Sequence, residues 1–355
     1  MSIRTLLMPW ISQRLFSRDR LLARRAKTEH KRLRNGAPHE VHYFHQVDDP
    51  YSALAAANLQ NFTSRYDIVL CAHIVGPPPD AAAPERAKLV AYSRRDAQLV
   101  AKHVGLPFND PGWQPDDAVV QSATVQLVAA IDAGRFVDQV GAVSEDVWRS
   151  TELAPSGQGA SAVANGAVDA GAVTDEAVAV HLRASNALRE SLGHYLGGMF
   201  FYAGEWYWGI DRLYHLEQRL QDLGVQRAGT DGYLIAPTTD VQQDVLRKVD
   251  QEASQKSDGR VGLAAPMSID FFVSLRSPYS AIVAKRVFDL GRHTGAPVRI
   301  RYVLPMVMRG IPFGRINDPV GKPTERGLAL IRWQNARAWG KPICALSCAA
   351  CGPKD

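Results

Sequence analysis

Two stretches of the chain share one pattern of apolar and polar positions. VHYFHQVDDPYSALAAANL, from Val41, and IDFFVSLRSPYSAIVAKRV, from Ile269, each begin with a short aromatic and β-branched run. A polar turn follows, and then Pro-Tyr-Ser-Ala opens a stretch with apolar residues at helical spacing. Pro50, Tyr51, Ser52 and Ala53 recur as Pro278, Tyr279, Ser280 and Ala281 at a constant offset of 228. A second strand-like run follows each copy, DIVLCAHIV at 67–75 and VRIRYVLPMV at 298–307. The pattern predicts β-loop-α-β twice.

Between the copies, residues 85–148 alternate helix-like segments with Pro and Gly breaks; ERAKLVAYSRRDAQLVAKHVG stops at Gly105 and Pro107. This predicts a helical insertion. Residues 154–173 are rich in Ala and Gly and read as a loop or hinge. DEAVAVHLRASNALRESLGHYLGG then predicts a helix closing near Gly193, MFFYAGEWYWG two strands about a turn at Ala203-Gly204, and IDRLYHLEQRLQDLG an amphipathic helix ended by Gly224. A β-α-β half, an insertion and a β-β-α half make one α/β domain over 41–228. Residues 235–267 read as a linker, with a short helix at 240–254 left open. Residues 268–355 hold a second, truncated copy, because nothing resembling GHYLGGMFFYAGEWYWGIDRL follows its first half.

Composition narrows the function classes. With 355 residues, 46% hydrophobic and 22% charged, the chain is expected to fold and not to be disordered. No apolar run approaches the roughly 20 residues that span a bilayer. Cys71 stands alone and Cys344, Cys348 and Cys351 crowd together, which suits a reducing, cytoplasmic setting better than a secreted disulfide framework. The net charge of +5 is local: residues 1–34 hold ten Lys or Arg against Asp19 and Glu29, which is +8 and leaves −3 for the rest. A nucleic-acid enzyme carries its positive charge on the folded body, so nucleic acid is not expected as a partner. Residues 1–36 read as a basic amphipathic helix, docked on protein or lying on an anionic membrane surface. TLLMPWI is too short, and too closely followed by charge, for a secretory signal.

The runs DFFVSLRSPYSA, VLPMVMRG and GEWYWGIDRL resemble the DsbA-like branch of the thioredoxin superfamily, and more closely its 2-hydroxychromene-2-carboxylate isomerase and kappa-class glutathione transferase members. The resemblance covers both copies. It implies an α/β thioredoxin-like fold with a helical insertion, in two tandem domains of which the second is truncated. In DsbA proper the turn into the helix carries Cys-x-x-Cys. Here the four residues are Asp49-Pro50-Tyr51-Ser52 and Ser277-Pro278-Tyr279-Ser280, so dithiol exchange has no thiols at either turn.

The resemblance makes Ser277 the catalytic candidate, holding the thiolate of glutathione, with Pro278 and Tyr279 completing the cofactor-binding turn. A hydroxyl and free N–H groups at a helix start suit a bound anion. Ser277 reads equally as an ordinary N-cap with Pro278 in the first helical position, and both roles can hold. Arg301 or Arg309 offers charge to an acidic, aromatic small-molecule substrate. In the first copy Asp49 replaces that serine; its carboxylate caps a helix but repels a thiolate. Gly198 stands where the fold's cis-proline is expected, and a cis bond there would cost about 2.5–4 kcal/mol, which favours trans. Asp49, Pro50, Tyr51 and Gly198 thus form a degenerate equivalent of the turn.

Other features are weaker. Cys344, Cys348 and Cys351 fall one short of a four-ligand site, so no metal is expected. His42, His45 and His73 lie on neighbouring predicted strands and are candidates to converge, or ordinary core histidines. Trp206, Tyr207, Trp208, Asp211 and Arg212 read as core packing with an ion pair, or as a groove lining. Phosphate loops, dinucleotide fingerprints, zincin motifs and nucleophile elbows are missing from the sequence. The leading expectation is a glutathione-linked isomerase or transferase; the rival is a non-catalytic binding protein, and a homo-oligomer stays open.

Overall fold

The computed structural model describes residues 18–80, 83, 85–149, 174–235, 268–273 and 278–303. These fall into two compact units: residues 36–235 form one, and residues 18–35 with 268–303 belong to the other. Helix α1, Arg18–Arg34, belongs to the latter. It carries Lys31, Arg32 and Arg34 in its last turn, where cations oppose the dipole's negative end. The expected apolar residues before Arg18 lie outside the described residues. Among the described residues no helix is long and apolar enough to cross a membrane.

The unit over 36–235 is mixed α/β. Its elements run β1 (Glu40–His45), α2 (Pro50–Ala56), α3 (Leu59–Arg65), β2 (Val69–Ile74), α4 (Arg86–Val104), α5 (Asp117–Asp132), α6 (Phe136–Arg149), α7 (Asp175–Ser191), β3 (Met199–Tyr202), β4 (Glu205–Trp208) and α8 (Leu213–Asp222). The sheet order is β2-β1-β3-β4, parallel between β1 and β2 and antiparallel elsewhere. This is the expected β-α-β and β-β-α plan with helices inserted, and it is compatible with a thioredoxin-like core. The crossover between β1 and β2 is two short helices, broken at Ala57-Asn58, where Asn58 N–H turns back to Ala55 O at 3.2 Å. The β3–β4 turn is Ala203-Gly204 with φ of 48° and 85°, the left-handed pair that a two-residue hairpin needs.

Strand alternation sorts the side chains. Val41, Tyr43, His45, Phe200, Tyr202 and Tyr207 share one face and join the main core with Phe62, Tyr66 and Phe136. Tyr43 stacks on Phe200 with centroids 4.8 Å apart. The opposite face carries His42, Phe44, Cys71, His73, Met199, Phe201 and Trp206. It is closed over Trp206 by the segment after α7: the His194 ring lies 4.8 Å away, and the indole N–H donates to Leu192 O at 2.9 Å.

The chain stays on this unit past residue 228. The buried Glu217 carboxylate of α8 accepts the Leu234 N–H at 2.9 Å and the Tyr66 hydroxyl at 3.0 Å, with Arg65 at 3.7 Å. Ile235 is buried in consequence. The domain therefore extends beyond the expected boundary, held by an ionic hub that a hydrophobicity pattern does not register.

In the other unit, β5 (Ile269–Val273), α9 (Pro278–Thr294) and β6 (Val298–Tyr302) form a parallel β-α-β. The repeat holds in register as well as in sequence. Val41 pairs with Leu70 and Ile269 pairs with Val298, each member displaced by the same 228 positions. Phe271, the counterpart of Tyr43, is buried with its ring 6.2 Å from Phe288 of α9. The counterparts Phe44 and Phe272 differ: Phe44 is 0% exposed and Phe272 is 65% exposed. Of the expected linker over 235–267 only Ile235 is among the described residues, and everything after Val303 lies outside them.

Candidate functional site

The turn between β1 and α2 is built around one carboxylate. Asp49 takes extended backbone geometry, φ −105° and ψ 120°, and caps α2. Its Oδ2 accepts from the Ser52 N–H at 2.8 Å and from the Ser52 hydroxyl at 2.7 Å. Pro50 follows at the first helical position, where its missing N–H costs nothing. Ser52 Oγ also accepts the Gln46 N–H at 3.2 Å, so this serine stitches the end of β1 to the helix start. Burial pushes the Asp49 carboxyl up to about 6, against the lowering effect of the Ser52 hydrogen bonds.

Gly197 and Gly198 close the turn from the side of β3. Gly198 has φ +61°, and a Cβ built on it would stand 3.1 Å from Ser52 N, 3.2 Å from Tyr51 C and 3.3 Å from Asp49 Oδ2. Gly198 O accepts from Gly209 N–H at 2.8 Å. The structure thus brings Asp49, Pro50, Tyr51 and Gly198 together. Tyr51 turns away: its hydroxyl donates to Asp96 Oδ2 of α4 at 2.7 Å. The first-turn N–H and hydroxyl of Ser52 are both committed to Asp49, so the donors that would hold a thiolate are already used.

A buried polar chain supports this turn. The Tyr43 hydroxyl donates to Ser52 O at 3.0 Å, which assigns the His45 Nδ1–H, at 3.1 Å, as donor to Tyr43 Oη. His45 Nε2 is then the acceptor facing Ser144 Oγ of α6 at 3.5 Å. Burial holds the His45 imidazole down at about 3, neutral across the physiological range. It also pushes the Tyr43 phenol well up, as does the Asp49 charge.

The three strand histidines do not converge. His42 Nδ1 and His73 Nε2 lie 3.0 Å apart with stacked rings, while His45 sits on the other face, as period-two alternation requires. Burial and the neighbouring His42 and His181 bring His73 down to about 4. Among the described residues no group of three or more His, Cys, Asp or Glu is placed to hold a metal ion. The aromatic run after β3 divides: Trp206 and Tyr207 are core, and Trp208 lies 6.4 Å from Tyr51. Arg219 of α8 brings a cation to this hairpin, 3.4 Å from Glu205 and 3.0 Å from Tyr202 O, while the side chain of Asp211 is not among those described.

In the other unit Ser277 lies outside the described residues, as do Arg309, Cys344, Cys348 and Cys351. Helix α9 starts at Pro278 as α2 starts at Pro50; the side chains of Pro278 and Tyr279 are not among those described. Arg301 pairs with Asp270 at 3.2 Å, an acid that Arg299 also meets at 2.9 Å. This commits the charge expected for an acidic substrate to a neighbouring strand.

Sequence reasoning missed the polar seam along β2, the edge strand. Helix α7 lays His181, Asn186 and Arg189 over it: Ile74 N–H donates to His181 Nε2 at 3.4 Å, Gly76 N–H to Asn186 Oδ1 at 3.1 Å, and Arg189 Nη1 to Gly76 O at 3.1 Å. These bonds satisfy backbone groups that an open edge would present to another strand. Polar residues five and three positions apart along one helix, His181, Asn186 and Arg189, were the available signal. No known family matches the chain, and no curated protein matches it.

Proposed function

We propose that the chain is a DsbA-like, thioredoxin-fold protein working without dithiol chemistry, and that its activity is that of a glutathione-linked isomerase or transferase. Ser277 is the residue that holds the glutathione thiolate, and tandem organisation gives the second copy the chemistry while the first serves structure. The observation that carries the reading is the turn where β1 meets α2. The resemblance equates it with a thioredoxin-type active site; it is faced by Gly198, and its four residues include no thiol. Glutathione then supplies the sulfur that the protein lacks.

Calorimetry with reduced glutathione tests this on the full chain and on Ser277→Ala. Saturable heat from the wild type, weakened at least tenfold in the variant, is expected. No heat from the wild type ends the glutathione reading, and equal affinity removes Ser277 from it.

A second reading, a non-catalytic thioredoxin-like binding protein, is favoured by one observation: Asp49 already occupies both Ser52 donors. For it, neither the full chain nor Asp49→Ala is expected to give heat with reduced glutathione.

A further inference from the structure

Four buried or half-buried arginines of the 36–235 unit fall into two kinds. Arg65, Arg94 and Arg219 each have a carboxylate within ion-pair distance: Glu217 at 3.7 Å, Asp110 at 3.0 Å and Glu205 at 3.4 Å. Arg189 is 2% exposed, and among the described residues no carboxylate reaches it. Its hydrogen bonds go to neutral oxygens, Gly76 O at 3.1 Å from Nη1 and Asn186 Oδ1 at 2.9 Å from Nη2. Its Nε–H is buried without a hydrogen-bond partner, as are those of Arg65 and Arg219, so what sets Arg189 apart is the missing carboxylate. Glu190, the next residue, is exposed and acts on it only through space.

A buried guanidinium without a counter-charge is costly, and fixing the β2 edge does not require one, since a neutral amide donates equally well to Gly76 O. Two bonds also leave most of the five N–H donors unused. The unpartnered Nε–H and the neighbouring Nη make the side-on fork that fits the two oxygens of a carboxylate. Gly76 and Asn186, which it bonds, are themselves only half-buried. Its position links it to the candidate turn: Val75 N–H donates to His45 O at 2.9 Å, and the next residue along each strand is Gly76 or Gln46. Gln46 in turn touches Ser52 and the space beside Gly197.

We propose that Arg189 anchors the carboxylate of a small-molecule ligand at the end of the sheet that carries the Asp49 turn. This does not rest on the glutathione reading, and a silent Ser277→Ala result leaves it intact.

The test follows the arginine Nε–Hε resonances of the full-length, 15N-labelled chain during titration with acetate, benzoate, benzamide, inorganic phosphate and sodium chloride. Expected is one resonance, missing from Arg189→Lys, that shifts saturably with acetate and benzoate and not with benzamide or chloride. A resonance that no carboxylate moves, or that chloride moves equally, overturns the proposal; a shift with phosphate alone overturns the carboxylate assignment. Asn186→Asp is the second variant. It is nearly isosteric, keeps the acceptor for Gly76 N–H and places a negative charge where Nη2 now meets an amide oxygen. Benzoate binding weakened at least tenfold, with the folded state retained, is expected. Unchanged benzoate affinity in that variant also overturns the proposal.

Discussion

Gly197 lies so close to Gln46 that a Cβ added to the glycine would stand 2.4 Å from the Gln46 Cβ, and 3.1 Å from Ser52 Oγ. The contact is between a side chain's stem and the chain beside the turn, so it cannot be relieved by swinging a flexible end. Gly197→Ala is expected to destabilise the 36–235 unit by about 2–3 kcal/mol through overpacking. Gly198→Ala meets strain of a different kind, an L residue at φ +61° with Ser52 N at 3.1 Å, and about 1–2 kcal/mol is expected there. Urea titration of each variant, with an unchanged m-value, checks both.

The Gly-Gly doublet illustrates what the sequence carried. Gly198 could be placed because it holds a defined position between a helix and a strand pattern, and position within a supersecondary plan survives in one dimension. The packing of Gly197 on Gln46 could not, since it depends on two segments whose spacing in the chain has no period. The same division runs through the fold. Strands, the Ala203-Gly204 turn and the 228-residue repeat come from alternation and turn chemistry, which are local. Arg189 on Gly76, Glu217 on Leu234 and His45 between Tyr43 and Ser144 are polar contacts between distant segments, and hydrophobic patterning has no mark for them.

Asp49 gives a pH test with a definite sign. Its carboxyl is held up at about 6 in the folded chain against an ordinary 3.8. A raised acid stabilises the fold fully below its unfolded pKa, and that contribution is lost as pH rises through 6. Asp49→Asn keeps an oxygen for the Ser52 N–H and cannot ionise. The variant is expected to gain on the wild type as pH rises from 4 to 7, by about 1–3 kcal/mol for a shift of this size. Thermal unfolding of both proteins across that range, with a difference that does not grow, would refute the assignment of Asp49 as a strained anion.

Glu217 holds the segment up to Ile235 on the domain. Glu217→Ala removes the acceptor for Leu234 N–H and the Tyr66 hydroxyl and leaves the Arg65 guanidinium without its ion pair. A loss of about 1–3 kcal/mol is expected for leaving buried donors without their acceptor, since Arg65 keeps its bonds to Thr230 O, Asp231 O and Gly232 O. Limited proteolysis gives the local readout: cleavage between residues 226 and 235 should appear in the variant before the core is cut.

His45 opposes Asp49 on the acid side. Its imidazole is held at about 3 in the folded chain by burial, against 6.5 when free, and His73 is held at about 4. The unfolded chain therefore takes up protons below pH 6.5 that the folded chain refuses. Stability from these groups is complete above pH 6.5 and falls progressively toward pH 4 for His73 and pH 3 for His45, at up to about 1.4 kcal/mol per pH unit for each histidine. His45→Gln cannot titrate, so it should remove one histidine's share of that slope. It should also cost about 1–2 kcal/mol at pH 7 through the weakened bonds to Tyr43 and Ser144. The crossing of the two stability curves on the acid side is the measurement to make. Parallel curves from pH 7 to pH 4 would mean that His45 takes its proton in the folded chain as readily as in the unfolded one, and that the Ser144–His45–Tyr43–Ser52 chain does not hold it neutral.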